Sequence, residues 1–386
     1  MSNHYNFGMR VLHLASFGGN FGDVLNHQGF YNTVGKALDF KSIKQIEVRR
    51  FYRNASEKER LFFNDEFVKE INSYDLFVLG GGGFFDAKWT YSNTGTTIDF
   101  NDSFIEGIKV PVVVNAMGYH EFFKDTTPEI CEKFKVFIKK IIDKGWFVSF
   151  RNDGSQKRFR NRYGDGFDNS IISVPDNGFF GVDRTKVFDT LYSDDRKTIG
   201  FCITNDLFTK EFNGELDTES FNEHILDVLE KLAERYRVVL FAHTPDDVAL
   251  IGRFFNNLPN IVKRYNLVIC PYCPNGVGSI KEMSRYYSAC DIIVGMRFHS
   301  LILGLQLGKP TIAMANHPQI SGLYEEIGLG DYIVPLNNFS FSQTLFDKLS
   351  EIQNNTIIEG RITSTLENLK QQNLFYISRV KEFLNR

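Results

Sequence analysis

The stretch CDIIVGMRFHSLILGLQLGKPTIAMA, residues 290–315, decides the fold class. It opens on a short β-branched run, DIIVG at 291–295, and closes on another, PTIAMA at 310–315. An apolar segment with helical spacing lies between them. Strand, helix and strand in this order predict a parallel βαβ unit, because parallel neighbours need a crossover and a helix supplies it. Arg297 and His299 stand at the turn from strand to helix, between two elements that both want burial. A charge in such a place is costly unless something pairs with it. Either the protein supplies that partner or a ligand does.

The same alternation runs along the whole chain. Strand candidates are VLHLAS at 11–16, DLFVLG at 75–80, VPVVVNA at 110–116, WFVSF at 146–150 and IISVP at 171–175. They continue with KTIGFCI at 197–203, RVVLFAH at 237–243, NLVIC at 266–270, DIIVG at 291–295, PTIAMA at 310–315 and YIVPL at 332–336. Most are continuously apolar, as expected where helices cover both faces of a parallel sheet. The helices between them are equally legible. In TPEICEKFKVFIKKIIDKG, residues Ile130, Phe134, Phe137, Ile138 and Ile141 form one stripe, with Pro128 early and Gly145 just past the end. DTESFNEHILDVLEKLAERY repeats the pattern, with acids in its first turn opposing the helix dipole. The fold class is therefore α/β, with two Rossmann-like domains built on parallel sheets. The polar stretch GVDRTKVFDTLYSDDRK separates them, giving domains 1–185 and 186–386. The last thirty residues read as a closing helix with Leu366, Leu369, Leu374, Ile377, Val380 and Phe383 on one side.

A chain of 386 residues suits two domains better than one core. It is 42% hydrophobic and 24% charged, the composition of a globular protein. A net charge of -3 removes the electrostatic argument for nucleic acid as a partner. No window approaches the ~20 apolar residues that span a bilayer, and the N-terminus lacks the pattern of a secretory signal. Five scattered cysteines suit reduced thiols in a cytosol, so the expected location is cytoplasmic. The 38 phenylalanines leave room for an apolar patch at the inner face of the membrane, where lipid-linked substrates would be met.

Ligands of open parallel sheets gather at the carboxyl ends of the strands, and several polar clusters fall there. FGGNFGDVLNH follows the first strand and offers Asn20 and Asp23 among glycines; a plain glycine turn explains it equally well. LGGGGFFD at 79–86, with Gly81 and Gly82, could cradle an anion on backbone amides, although it lacks the Lys-Ser/Thr of a P-loop. SFRNDGSQKR places Arg151 at a strand end and Ser155 at a helix start. In FAHTPDD, Thr244, Pro245 and Asp247 read as N-cap, N1 proline and N3 acid, which leaves His243 as a candidate for chemistry, though a lone histidine is more often structural. CPYC at 270–273 has no second Cys or His pair nearby to complete a zinc site and is read as two buried thiols; no metal or cofactor is expected. GMRFHS remains the strongest cluster. A fixed cation and a titratable group beside helix amides suit a phosphate or carboxylate; the plain alternative is an arginine salt-bridged within its own domain.

Taken in order, GNFGD, DLFVLGGGG, NAMG, SFRNDGS, VPDNGFF, AHTPDD and GMRFHS…LGKP…GLYEEIGL resemble the polysaccharide pyruvyl transferase family over residues 11–340. The resemblance implies two Rossmann-like domains facing across a cleft, as in GT-B glycosyltransferases. It implies transfer of the pyruvyl group of phosphoenolpyruvate onto two sugar hydroxyls of a cell-surface glycan, or its lipid- or nucleotide-linked precursor, as a ketal. On that reading the N-terminal domain is the acceptor side and the C-terminal domain the donor side. Arg297 and Arg151 clamp the donor's two anionic groups. His299 is the general acid, with His243 second, and Asp23 or Asp176 takes the proton of the sugar hydroxyl. Ser155, Asn20, Gly81 and Gly82 line the substrates.

Two departures shift the charge balance. Where relatives tend to have Arg-Asp-x-x-Ser, this chain has Arg151-Asn152-Asp153-Gly154-Ser155; where they often have Tyr-Asp-Pro-Lys, it has Asn316-His317-Pro318-Gln319. The competing expectations are a GT-B glycosyltransferase using a nucleotide sugar and a catalytically idle glycan-binding relative.

Overall fold

Two six-stranded sheets, every pair of neighbouring strands parallel, organise the chain in this computed structural model, which describes residues 8–122, 125–183, 191–206, 208, 214, 216–273, 277–354 and 357–386. The first contains β1 (Met9–Ala15), β2 (Phe40–Glu47), β3 (Leu76–Gly80), β5 (Val112–Met117), β7 (Phe147–Arg151) and β8 (Ile171–Val174), in the order β2-β1-β3-β5-β7-β8. The second contains β9 (Thr198–Cys202), β10 (Arg237–Phe241), β11 (Leu267–Ile269), β12 (Ile292–Gly295), β13 (Thr311–Ala315) and β14 (Ile333–Pro335), in the order β11-β10-β9-β12-β13-β14. A parallel ribbon of β4 (Phe85–Ala87) and β6 (Tyr119–Glu121) extends beyond β3 and β5.

Each strand expected from an apolar run is present, within a residue or two at its ends. The runs are apolar throughout because the central strands are buried on both faces: β3, β5, β9 and β12 contain no exposed residue. The alternation missed β2, FKSIKQIE, in which Lys41, Ser42, Lys44 and Gln45 are exposed. It is the edge of its sheet, where charge discourages further pairing, and so it carries no apolar signature.

The helices begin and end where local chemistry dictates. Thr127 accepts the Ile130 N–H at 3.3 Å to cap Pro128–Asp143, and Gly145 takes φ +82° past its end. The predicted stripe of that helix is buried in full. Asp217 caps Thr218–Arg235 through the Ser220 N–H, 2.8 Å.

The chain divides into two compact units, each assembled from more than one stretch: 1–17, 30–176 and 372–386 in the first, 18–29 and 177–371 in the second. Residues 184–190, inside the polar stretch where the sequence places the domain break, lie outside the described residues. Helix Phe21–Phe30 therefore contributes Phe21 and Leu25 to the second unit's core, beside Cys202, Phe241, Tyr287 and Leu303. The closing helix is single over Ile357–Leu384. Its early turns bury Ile358, Ile362 and Leu369 in the second unit, and its late turns bury Tyr376 and Val380 in the first. Leu374, expected in the stripe, is 51% exposed and Asn373 takes the inward place, because the buried line shifts by one residue at this point.

Candidate active site

In the second unit the strand order is that of dinucleotide-binding folds, and the chain reverses direction across the sheet between β9 and β12. Arg297 stands there, two residues beyond β12, at the N-cap of helix Phe298–Gln306. The protein supplies its partners. Asp247 receives Nε at 3.1 Å and Nη2 at 2.7 Å, Asp206 receives Nη1 at 2.6 Å, and Nη2 also reaches Thr244 Oγ1 at 3.0 Å. Burial disfavours the charge on Arg297, but Asp247 and Asp206 outweigh it and raise its pKa. Burial likewise favours a protonated Asp247; Arg297 and the His243 N–H outweigh that and hold the carboxyl below its ordinary value.

Asp247 gains its place through the capping box at Thr244, and its Oδ2 accepts the backbone N–H groups of His243 and Thr244 at 3.0 and 3.1 Å. It thus ties the ends of β10 and β12 together. His243 is wholly buried, with Nε2 2.9 Å from Tyr287 Oη and its ring against Phe21. Burial is the chief cause that lowers its pKa to about 3, so the ring is neutral near pH 7. Its Nδ1 is buried with no hydrogen-bond partner among the described residues.

His299, in the first turn after Arg297, lies over the backbone of Gly22. A Cβ at Gly22 would sit 2.3 Å from His299 Nδ1 and 3.0 Å from its Cβ, so only glycine allows this approach. Asn20 Oδ1 accepts the Gly22 N–H at 2.8 Å and turns the chain into helix Phe21–Phe30, whose first turn carries Asp23. The second unit therefore gathers Asn20, Asp23, His243, Arg297 and His299.

The first unit gathers the others. Arg151 ends β7 and is 4% exposed. Its Nε donates to Asp153 Oδ2 at 2.6 Å, its Nη1 lies 3.7 Å from Asp176 Oδ2, and its Nη2 lies 3.4 Å from His120 Nε2. The guanidinium rests on Gly118, where a Cβ would come within 2.8 Å of Nη2. Asp153 also accepts the Ser155 N–H at 3.1 Å, the Ser155 hydroxyl, and Arg158 Nη2 at 3.3 Å. Ser155 is wholly buried and its Oγ accepts the Tyr119 N–H at 2.8 Å. Asn152 Oδ1 accepts the Asp176 N–H at 2.8 Å, and its Nδ2 is buried with no partner among the described residues. The acid that this loop lacks at 152 is therefore supplied at 153.

Gly81 and Gly82 follow β3. Gly81 has φ +90° and donates to Asn115 O at 2.9 Å, while Gly82 O accepts the Gly118 N–H at 2.9 Å. They shape the strand ends around Arg151 through the backbone. Ala116, at φ +43°, is strained in the same β5 terminus. Sequence reading passed over His120, Asp153 and Asp206. Only Asp153 had a local signal, its position two residues after Arg151; the other two are brought in by strand order.

The second departure, at 316–319, is also local in effect. Asn316 Nδ2 donates to Asp206 O at 2.9 Å, and His317 caps helix Pro318–Glu326. CPYC lies apart in role: Cys270 is buried against Met283, burial raises its pKa, and Cys273 is half-buried. Residues 274–276, which follow it, lie outside the described residues.

Comparison with known proteins bears on this arrangement. Of solved structures, UDP-GlcNAc 2-epimerase from Neisseria meningitidis, bound to UDP-GlcNAc, superposes with a TM-score of 0.57 at 11% identity, covering 97% of this chain and 100% of that one. HepE of Anabaena, in complex with UDP and glucose, gives 0.54 at 11% identity over 98% and 99%. These likenesses show the fold, an α/β fold of the GT-B type with two parallel sheets and a C-terminal helix. No curated protein matches the chain at a significant level. The family model for polysaccharide pyruvyl transferase matches residues 20–318, a span that includes both arginines and the loops that hold them. The chain belongs to the polysaccharide pyruvyl transferase family.

Proposed function

We propose that the protein transfers the pyruvyl group of phosphoenolpyruvate to two hydroxyls of a sugar, on a cell-surface glycan or its lipid- or nucleotide-linked precursor. The observation that supports this most is the pair of arginines at the carboxyl ends of parallel strands, each beside a histidine, within the span of the family match. The donor carries a carboxylate and a phosphate, and each charge-assisted contact to an arginine contributes roughly 1.5–3 kcal/mol.

His299 donates a proton to the methylene carbon of phosphoenolpyruvate, making an oxocarbenium-like centre at C2. One sugar hydroxyl adds there and gives its proton to Asp23 or Asp176. The C2–O bond to phosphate breaks and phosphate leaves with the proton held by the aspartate; the second hydroxyl then closes the ketal at C2 and gives its proton back to His299. Arg151 and Arg297 hold the anionic groups, Ser155 and Asn20 keep their loops in place, and Gly81 and Gly82 let the backbone approach. His299 is preferred to His243 as the acid because His243 is wholly buried and neutral near pH 7.

The test is thermal stabilisation of wild type and Arg297→Lys by phosphoenolpyruvate and, separately, by UDP-sugars, combined with phosphate release in the presence of candidate acceptors. A ligand at 100 times its dissociation constant adds about 2.7 kcal/mol of stability. A shift with phosphoenolpyruvate that shrinks in the variant is the expected result. A shift with a UDP-sugar alone would transfer the reading to glycosyl transfer, the alternative suggested by what the two superposed structures bind. Binding without phosphate release for any acceptor would favour an idle glycan-binding relative.

A further inference from the structure

Residues 248–281 contain no aspartate or glutamate, in a chain that has 47 of them. Helix Pro245–Asn257, whose two aspartates are confined to its first turn just ahead of that stretch, forms one margin of the second unit's sheet with helix Asn260–Tyr265 and strand β11, the outermost strand. This margin presents large apolar side chains to solvent: Phe255, Ile261, Tyr265 and Ile269, with Ile261 and Tyr265 at 64% and 70% exposure. Ile261 and Tyr265 are one helical turn apart, and Tyr265 leads directly into β11. Lys263 joins the two helices, its Nζ 5.6 Å from the Phe255 ring and 3.4 Å from Asn256 O.

Cations are interleaved with these side chains. Arg253, Lys263 and Arg264 form no ion pair among the described residues, whereas Asp194, near the same margin, is engaged by Arg237 at 2.7 and 2.8 Å. Arg196 reaches Tyr265 O at 3.5 Å and adds a fourth positive group. Unpaired cations among exposed aromatic and aliphatic groups match the boundary of an anionic bilayer, where phosphates face acyl chains. A second copy of the chain fits less well, because a two-fold contact would set this cationic surface against itself. Nucleic acid offers no place for Ile261 and Ile269.

We propose that the surface of Arg253, Phe255, Ile261, Lys263, Arg264 and Tyr265 docks on an anionic phospholipid bilayer. Tyr265, Ile261 and Phe255 enter the headgroup level and the three cations meet lipid phosphates. The docking is independent of which donor the enzyme uses.

The full chain is sedimented with vesicles of phosphatidylglycerol and phosphatidylcholine, and with vesicles of phosphatidylcholine alone. Variants Ile261→Glu/Tyr265→Glu and Arg253→Gln/Lys263→Gln/Arg264→Gln are run beside it, with folding checked by circular dichroism and turnover by a soluble acceptor. Because these side chains are exposed, apart from the half-buried Lys263, the fold is expected to survive both. The expected result is binding to anionic vesicles that weakens at high salt, with each variant reducing partitioning about tenfold or more. Failure of the wild-type chain to bind anionic vesicles would overturn the proposal, as would binding untouched by either variant. A dimer dissociated by Ile261→Glu/Tyr265→Glu without vesicle binding would assign the surface to a second copy instead. Retention on a soluble polyanion without vesicle binding would reduce it to nonspecific charge.

Discussion

Arg151 and Arg297 stand at the carboxyl ends of strands in the two units, yet they are anchored by different means. Arg151 takes its main carboxylate from Asp153, two residues along its own loop, and Asp153 is shared with Ser155 and Arg158. Arg297 takes its carboxylates from Asp247 and Asp206, 50 and 91 residues away, at the ends of other strands. One anchor is a property of a loop; the other is a property of the sheet. When its arginine is lost, Asp153 keeps a cation in Arg158, whereas Asp247 keeps only the N–H groups of His243 and Thr244 and no cation.

That difference sets the largest expected effect. Arg297→Met strands Asp247, 1% exposed, without its cation, and should cost roughly 3–5 kcal/mol. Arg151→Met leaves Asp153 with Arg158, the Ser155 hydroxyl and a backbone N–H, and should cost about 1–3 kcal/mol. Urea denaturation at pH 7 measures both. The comparison breaks if the two losses are equal, or if adding Asp247→Leu to Arg297→Met recovers nothing.

The contrast also explains what could be read from sequence. Apolar runs announced the buried strands because helices cover both faces, and Thr127, Asp217 and Thr244 announced their helices because capping is local. Arg151, Ser155 and Asp153 lie within five residues, so their meeting was open to reading, although Asp153 was passed over. Asp206 beside Arg297 was not, since nothing within either segment encodes that β9 and β12 are neighbours. The closeness of Gly22 and His299 was hidden for the same reason: a glycine in a turn looks alike whether its φ or a neighbour demands it. Edge strand β2 was silent because its outward residues are polar.

A pH series sharpens the comparison next. His243 has a pKa of about 3 in the folded protein against 6.5 ordinarily, chiefly through burial. Below pH 6.5 the unfolded chain therefore binds a proton that the folded one refuses, and stability falls as pH falls. The slope from this group reaches about 1.4 kcal/mol per pH unit. Asp247, whose pKa is lowered from 3.8, withdraws its contribution only further down, as pH drops below about 4. His243→Gln should flatten the first part of the curve and leave the second. Equal slopes in both proteins between pH 6 and 4.5 would mean that His243 titrates normally.

Two glycines probe how closely each anchor is enclosed. An alanine at Gly22 meets both the ring and the Cβ of His299, so the side chain cannot escape by rotation, and about 1–3 kcal/mol with a loss of turnover is expected. The atoms nearest an alanine Cβ at Gly118 all belong to the guanidinium of Arg151, the far end of a long side chain, and the change should cost less in stability. Its effect should fall on donor affinity, because the guanidinium moves while the fold holds. Melting temperatures and steady-state kinetics of the two variants separate the cases; a greater stability loss at Gly118 would contradict the reasoning.

The smallest change in stability should come from Asp206→Asn, and it bears most directly on function. The Asp206 side chain is 53% exposed, so solvent screens its pair with Arg297 and its removal should cost under about 1 kcal/mol. Asp247 keeps its two bonds to Arg297 and holds the guanidinium in place. Nη1 is then open to an incoming anion, and phosphoenolpyruvate should bind severalfold more tightly if Arg297 is a donor clamp. Losing a negative charge would strengthen any anion a little, so Asp246→Asn, exposed on the same surface of the sheet's end, serves as the control. A gain confined to Asp206→Asn indicates that Arg297 exchanges a protein carboxylate for a ligand. Equal gains in both variants, or none, would mean that Arg297 serves only to join β10 to β12.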